Sequence, residues 1–334
     1  MRAARLHGAG DVRLADEPTP VPQADESLVS VEAVGLCGSD LHWFEMGSIG
    51  DAVLERAVVP GHEMAGTALT GPYAGSLVAV DPAVPCGSCR ECLRGDRNLC
   101  PTVGFAGHAT RDGGMREVMA WPTRLLTPLP VGLTAADGAC LEPLGVALHA
   151  WDLAHVHLGA TVGVVGAGPI GLLLVQLARV GGAGRVVVVE PLAHRRAAAT
   201  RYGADVVLGP EEVASSLVEG CDIVFEAAGS DAAVLTSLSL AVPGAKVLLV
   251  GIPEDDSTRF PASLARRKGV SLVLVRRMKE MYERTTRLLS TGRVDVRSLV
   301  DQAYALEEAA DAFRAAGKRA GLKVVVTPAA STGQ

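Results

Sequence analysis

The sequence predicts an α/β protein: a doubly wound parallel sheet domain joined to a β-rich domain. Three observations carry this. The middle of the chain holds six continuous apolar runs separated by helical segments. The first of them leads into a glycine-rich turn, Gly166-x-Gly168-x-x-Gly171. The first part of the chain instead alternates apolar and polar residues and is broken often by Gly and Pro. A length of 334 residues accommodates about two domains with real cores.

In chain order, SLVSVEAV has the period of a half-buried strand. EPTPVPQ, VVPGHEMAG and LTGPYAGS interrupt the pattern and read as irregular loops of a β-rich domain. Near residue 145 the character changes. TVGVVGAG, RVVVVE, ADVVLG, CDIVFEAAG, AKVLLVGI and SLVLV are apolar throughout, as strands buried on both faces of a parallel sheet must be. After residue 276 come helical stretches and one more strand, GLKVVVTP, which we expect to return to the first domain. The resulting division is 1–144, 145–275 and 276–334. The terminal PAASTGQ is expected to lack order.

Composition narrows the function. A formal charge of −6 argues against a nucleic-acid partner. The basic clusters Arg195-Arg196, Arg266-Arg267-Lys268 and Arg276-Arg277 are short and read first as solvated faces. No apolar run is long enough to span a membrane, and MRAARLHGAGDV lacks the apolar stretch of a secretory signal. The expected location is the cytoplasm, where thiols stay reduced and disulfides are rare.

The glycine turn follows a buried strand and opens a helix, expected to be amphipathic, through Pro169 and Ile170. A second strand then ends in an acid, Glu190. That context reads as a dinucleotide site. Gly166 permits the tight turn, Gly168 admits a pyrophosphate to the backbone, and Gly171 lets helix pack on strand. The pyrophosphate would sit at the helix N-terminus, where free amides favour negative charge. Glu190 would accept hydrogen bonds from the adenosine ribose, which favours NAD over NADP. Arg195 and Arg196 lie near enough in sequence to join that site.

Two groups of residues have the chemistry of metal ligands. VPCGSCRECLRGDRNLCP places Cys86, Cys89, Cys92 and Cys100 in one short run. Four thiolates so spaced can wrap one tetrahedral ion, a closed structural zinc site; an iron–sulfur cluster is the alternative. GLCGSDLHW, VPGHEMAG and LEPLG supply Cys37, His62, Glu63 and Glu142. Together these could hold a second zinc with a position open to water or substrate. Cys140 and Cys221 read as plain core thiols.

The order of these motifs, from Cys37 through Gly-His-Glu, the four-cysteine run and Glu-Pro to the glycine turn, resembles that of the zinc-dependent medium-chain dehydrogenases/reductases over almost the whole chain. Glu142 stands where alcohol dehydrogenases place a second cysteine ligand. With Glu63 and CGSDLHWFEMGSIGD, this is similar to the sorbitol and xylitol (polyol) dehydrogenase branch. The resemblance implies a GroES-like β-barrel catalytic domain, a Rossmann NAD-binding domain, zinc and NAD as cofactors, and a homo-oligomer, tetramer before dimer. It implies Cys37, His62 and Glu63 as catalytic-zinc ligands, with Glu142 on the zinc or its water. Asp40 then orients the ligand histidine, and Ser39 and His42 form a proton relay. Trp43, Phe105 and Arg276 then contact the substrate.

Departures concern the substrate pocket. Trp43 stands where that branch usually has Tyr, Arg277 follows Arg276 where Tyr is common, and His108 in AGHATRDGG has no clear counterpart. The expected reaction is hydride transfer from a secondary alcohol of a polyol to NAD. A cyclitol, aminocyclitol or sugar acid is the alternative small-molecule substrate, because paired arginines suit an anionic group. A non-catalytic, cofactor-sensing role is disfavoured by the retained zinc ligands.

Overall fold

The computed structural model describes residues 1–108, 111–213 and 220–328. From residue 329 the terminal PAASTGQ lies outside them. The chain divides into two compact units. One comprises Met1–Pro143, Tyr282–Thr291 and Val296–Gln334; the other comprises Leu144–Met281 and Gly292–Asp295.

The first unit is β-rich. Its elements begin with β1 (Arg2–Gly8), β2 (Asp11–Asp16), β3 (Glu26–Gly35) and α1 (Gly38–Met46). A short hairpin, β4 (Ser48–Ile49) and β5 (Ala52–Val53), precedes β6 (Glu63–Ala68) and β7 (Leu77–Val80). Next come β8 (Ala83–Val84), α2 (Arg90–Leu93), β9 (Gly104–Phe105), β10 (Val118–Pro122), β11 (Leu126–Pro128) and α3 (Ala135–Ala139). In β3 the alternation holds: Ser27, Val29, Val31 and Ala33 face inward, and the residues between them are half-buried. The core gathers Trp43, Phe44, Met64, Met115, Met119, Trp121 and Phe313, with Phe44 and Phe313 stacked at 4.8 Å.

The second unit starts within α4 (Leu141–Ala154) and continues as β12 (Thr161–Val165), α5 (Pro169–Val180), β13 (Arg185–Val189), α6 (Ala193–Arg201) and β14 (Val206–Leu208). It goes on through β15 (Cys221–Glu226), α7 (Asp231–Leu240), β16 (Ala241–Leu249), α8 (Ala262–Lys268) and β17 (Ser271–Leu274). The six strands form one sheet, ordered β14-β13-β12-β15-β16-β17, and every pairing is parallel. Because parallel crossovers are right-handed, the reversal of order between β12 and β15 puts the helices on both faces and opens a crevice at the strand C-termini.

The helix after the glycine turn is buried along most of its length: residues 171–178 of α5 are all buried. One side packs on β12 and β13. Elsewhere, the Gln176 amide donates to Asp295 O at 2.9 Å and its carbonyl accepts the Asp295 N–H at 2.7 Å. That clasp satisfies the one polar side chain in the buried run.

The chain then returns to the first unit through α9 (Tyr282–Ser290), β18 (Val300–Ala305), α10 (Ala309–Gly317) and β19 (Lys323–Thr327). A seven-stranded sheet results, ordered β11-β7-β6-β3-β19-β18, with β10 also on β3. β19 pairs antiparallel with the end of β3, at Val34 and Gly35. That pairing sets a C-terminal strand beside the loop carrying Cys37.

Candidate active site

The four-cysteine lobe is built on α2, whose N-cap is Cys89. Backbone amides point at sulfur: Cys92 N to Cys89 Sγ at 3.4 Å, Cys89 N to Cys86 Sγ at 3.3 Å, and Cys86 N to Cys100 Sγ at 3.4 Å. Amide contacts from Ser88 and Cys89 hold Cys86 well below the usual thiol range, while, against the Cys92 amide at Cys89, burial and the neighbouring sulfurs push Cys89 and Cys92 up, as expected of thiols crowded together without a cation between them. The four sulfurs lie within 4.8 Å of one another, with Cys86 and Cys92 at 4.0 Å. A disulfide needs about 2.05 Å. A tetrahedral ion with bonds of about 2.3 Å spaces its sulfurs by about 3.8 Å. An iron–sulfur cluster sets its own bridging atoms between the cysteines and would hold them farther apart. The donor set therefore fits one zinc. An Arg97–Asp81 ion pair ties the lobe to the sheet, where Asp81 also accepts the Ala83 amide at 3.0 Å through its side chain and Trp121 Nε1–H at 2.8 Å through its carbonyl.

The second group forms where β3, α1 and β6 meet. Cys37 is the N-cap of α1, and its amide donates to Asp40 Oδ2 at 3.0 Å. Asp40 is fully buried. Its other oxygen accepts the Gly61 amide at 3.2 Å and lies 3.5 Å from His62 Nδ1. The ring is thereby fixed, with Nε2 left as the ligand atom. Ligand atoms of Cys37, His62 and Glu63 all lie within 4.8 Å of one another. Burial would lower the His62 pKa, but the charge and hydrogen bond of Asp40, with Cys37, hold it well above its ordinary value. A site so poised for positive charge, built of a thiol, an imidazole and a carboxylate, fits a zinc ion with an open position.

Glu142, in the first turn of α4, is buried beside this group rather than being one of the three. Burial and the neighbouring Glu63 push its pKa up, against the pull of His62 and Lys323. Lys323 is a residue that sequence reasoning missed. It is buried, ion-paired with Glu63, and donates to Leu36 O at 2.8 Å. A lysine opening the apolar strand KVVVT was the available clue.

Of the remaining predicted residues in this unit, Ser39 Oγ lies 3.4 Å from His62 Nε2. His42 is half-buried on the next turn of α1. The Phe105 ring lies 5.3 Å from that of His62. Trp43 is buried in the core, with His108 edge-on to it at 5.1 Å.

In the second unit, Gly166 has φ of 96°, and a Cβ there would meet the backbone of residues 227 and 228 at about 3.1 Å. A Cβ on Gly171 would stand 1.9 Å from Gly166 O, so helix and turn touch through glycine. At Gly168, the N-cap of α5, the nearest neighbour of a Cβ would be Arg195 Nη1 at 3.6 Å. No internal crowding demands glycine there, which suits a turn kept bare for a ligand. Pro169 takes the first helical position, where its missing N–H costs nothing, and Ile170 follows. Glu190 is buried, and its two oxygens accept the amides of Ala167 at 2.7 Å and Leu192 at 2.9 Å. Arg276 is exposed beyond β17.

Glu226 was also missed. It ends β15 as Glu190 follows β13, and it accepts the amides of Ala228 and Gly229 at 2.8 and 2.7 Å. It thereby shapes the turn on which Gly166 rests. Cys140 and Cys221 are core thiols pushed up to about 12 by burial.

A dinucleotide turn and a buried Cys-His-Glu group define a zinc-dependent nicotinamide oxidoreductase. Comparison with known proteins agrees. Residues 23–131 match the alcohol dehydrogenase GroES-like domain and residues 169–291 the zinc-binding dehydrogenase domain. The sorbitol dehydrogenase of Bacillus subtilis (strain 168) is 33% identical, over 98% of this chain and 97% of that protein. The sorbitol dehydrogenase of Bos taurus is 34% identical over 96% and 94%. Among solved structures, L-idonate 5-dehydrogenase from Escherichia coli superposes with a TM-score of 0.91 at 27% identity, covering 98% of this chain and 97% of that one. The chain belongs to the zinc-dependent medium-chain dehydrogenase/reductase family, whose cofactors are zinc and a nicotinamide dinucleotide.

Proposed function

We propose that the protein oxidises a secondary alcohol of a polyol of the sorbitol or xylitol kind to a ketone, with NAD as hydride acceptor. The observation that carries this reading is the buried group of Cys37, His62 and Glu63 with Glu142 beside it. It has one thiolate and carboxylates where an alcohol dehydrogenase has two thiolates, and the sorbitol dehydrogenases named above match the chain over most of its length.

When bound, zinc polarises the alcohol oxygen and NAD accepts the hydride. Cys37, His62 and a glutamate would hold the zinc, and Asp40 fixes the His62 ring. Ser39, close to His62 Nε2, would take the hydroxyl proton, and His42, one turn on, would pass it toward solvent. Phe105 supplies an apolar wall beside His62, and Trp43 backs the loop of His108. The turn through Gly166 and Gly168 would bring the N-terminus of α5 to the pyrophosphate, and Gly171 lets helix and turn touch. Glu190 retains lone pairs for the ribose hydroxyls and would repel a 2′-phosphate, which favours NAD.

A second reading is a sugar acid, for which Arg276 and Arg277 would supply charge; one solved structure of matching fold is an L-idonate 5-dehydrogenase. Assembly as a homotetramer, with a dimer as the lesser form, is supported by the edge strand β17, whose Leu274 is 79% exposed. No helix among the described residues is long and apolar enough to cross a membrane. None of the seven cysteines is in a disulfide, which is compatible with a cytoplasmic location.

The test is NADH formation across polyols, cyclitols, aminocyclitols and sugar acids on protein of verified zinc content. Turnover of sorbitol or xylitol that is lost with a chelator supports the polyol reading. Turnover of a sugar acid alone replaces it with the second, and chelator-resistant turnover removes the zinc chemistry.

A further inference from the structure

Lys323 opens β19 but turns inward and is 3% exposed. Its ammonium bridges two parts of the metal centre: it donates to Leu36 O, the carbonyl just before Cys37, at 2.8 Å, and pairs with Glu63 Oε2. Gly35 makes room for this. A Cβ there would stand 2.1 Å from Glu63 Oε2 and 2.9 Å from Lys323 Cε. Glu63 is itself 1% exposed, so the pair is closed to water. A buried ammonium persists only with a partner, and removing one member of such a pair strands the other charge. The strand pairing of β19 with β3 holds the lysine in place.

The consequence concerns how Glu63 can meet a metal ion. A carboxylate with both oxygens free can bind through both and fill two positions. A catalytic zinc needs three protein ligands and one open position. We propose that Lys323 is a positioning residue of the metal centre: by holding Glu63 Oε2 it limits Glu63 to one oxygen on the ion and so keeps a coordination position open for the alcohol. Its charge also offsets one of the anions around the ion, so the metal is held less tightly than those anions alone would hold it. The proposal rests on reading Cys37, His62 and Glu63 as a zinc site.

The test uses the full-length zinc protein as wild type, Lys323→Met, Lys323→Gln, Lys323→Arg, Glu63→Gln, and Glu63→Gln combined with Lys323→Met. Zinc release to a chelator is measured, together with the visible spectrum after cobalt substitution, which reports coordination number independently of turnover. Lys323→Met is expected to slow zinc release about tenfold or more and to weaken the cobalt bands as coordination expands. Lys323→Arg should restore both, and in the Glu63→Gln background the methionine should change neither. Should Lys323→Met not fold, Lys323→Gln carries the same expectation while keeping a donor for Leu36 O. Unchanged or faster release in a folded neutral variant, or the same change without the Glu63 charge, overturns the proposal. If Cys37→Ala loses no zinc relative to wild type, the metal reading itself fails, and the proposal with it.

Discussion

Glu190 Oε2 accepts the amide proton of Ala167 at 2.7 Å, so the acid after β13 clamps the glycine turn after β12. The same carboxylate is the candidate reader of the ribose, and the two roles share its lone pairs. Glu190→Ala should therefore weaken both nucleotides by loosening the turn, and NAD further by removing the ribose acceptor. A hydrogen bond to a charged group contributes about 1.5–3 kcal/mol, so kcat/KM for NAD should fall roughly 10- to 100-fold beyond the loss for NADP. Equal losses would leave Glu190 as a clamp alone.

Cys37→Ala should remove one zinc per chain and reduce turnover by about a thousandfold or more, since metal polarisation contributes several kcal/mol in a transition state. NADH binding, followed by fluorescence, should persist because the glycine turn and Glu190 belong to the other unit. Retained turnover with the zinc gone would remove the mechanism.

Cys89→Ser should act on stability first. The sulfur of Cys89 caps α2 and is one of four donors that leave no open position. Loss of a structural zinc withdraws folding energy outright. A drop of several degrees in melting temperature, with the remaining activity per zinc-loaded molecule unchanged, is expected. An inactive variant of unchanged melting temperature would mark the lobe as catalytic.

What the sequence reveals depends on how local the constraint is. The six parallel strands were legible because a strand buried on both faces must be apolar along its length, as RVVVVE and AKVLLVGI are. The four-cysteine site was legible because its donors lie within one short run. Cys37 stands 25 positions before the adjacent pair His62 and Glu63; their chemistry suggested one zinc site, but no local spacing fixed the ligand set, and family resemblance assigned the roles. Lys323 reaches Glu63 from 260 positions along the chain through a strand pairing that no local pattern announces. The burial of α5 escaped for a related reason: its outer side is covered by a clasp to Asp295, far away in sequence.

Acid stability offers a test at a residue that is not a candidate metal ligand. Asp112 lies in a charged cluster of the first unit, bonded to Arg5 at 2.9 and 3.1 Å and to the Val59 amide at 3.1 Å. Burial would raise its pKa, but the Arg5 bonds, the Val59 amide and the charges of Arg5 and Arg56 outweigh it, and the net shift is downward. A carboxylate lowered in the folded state contributes stability that is fully present above its unfolded pKa of about 3.9 and lost as pH falls through the folded value. Asp112→Asn should cost about 1–3 kcal/mol at pH 7, measured as a shift in the urea midpoint. The difference between variant and wild type should then shrink below about pH 4. Zinc content is measured on both proteins at each pH, so that metal loss is not read as loss of the Asp112 charge. A gap that stays constant down to pH 3 would mean that Asp112 works by shape and not by charge.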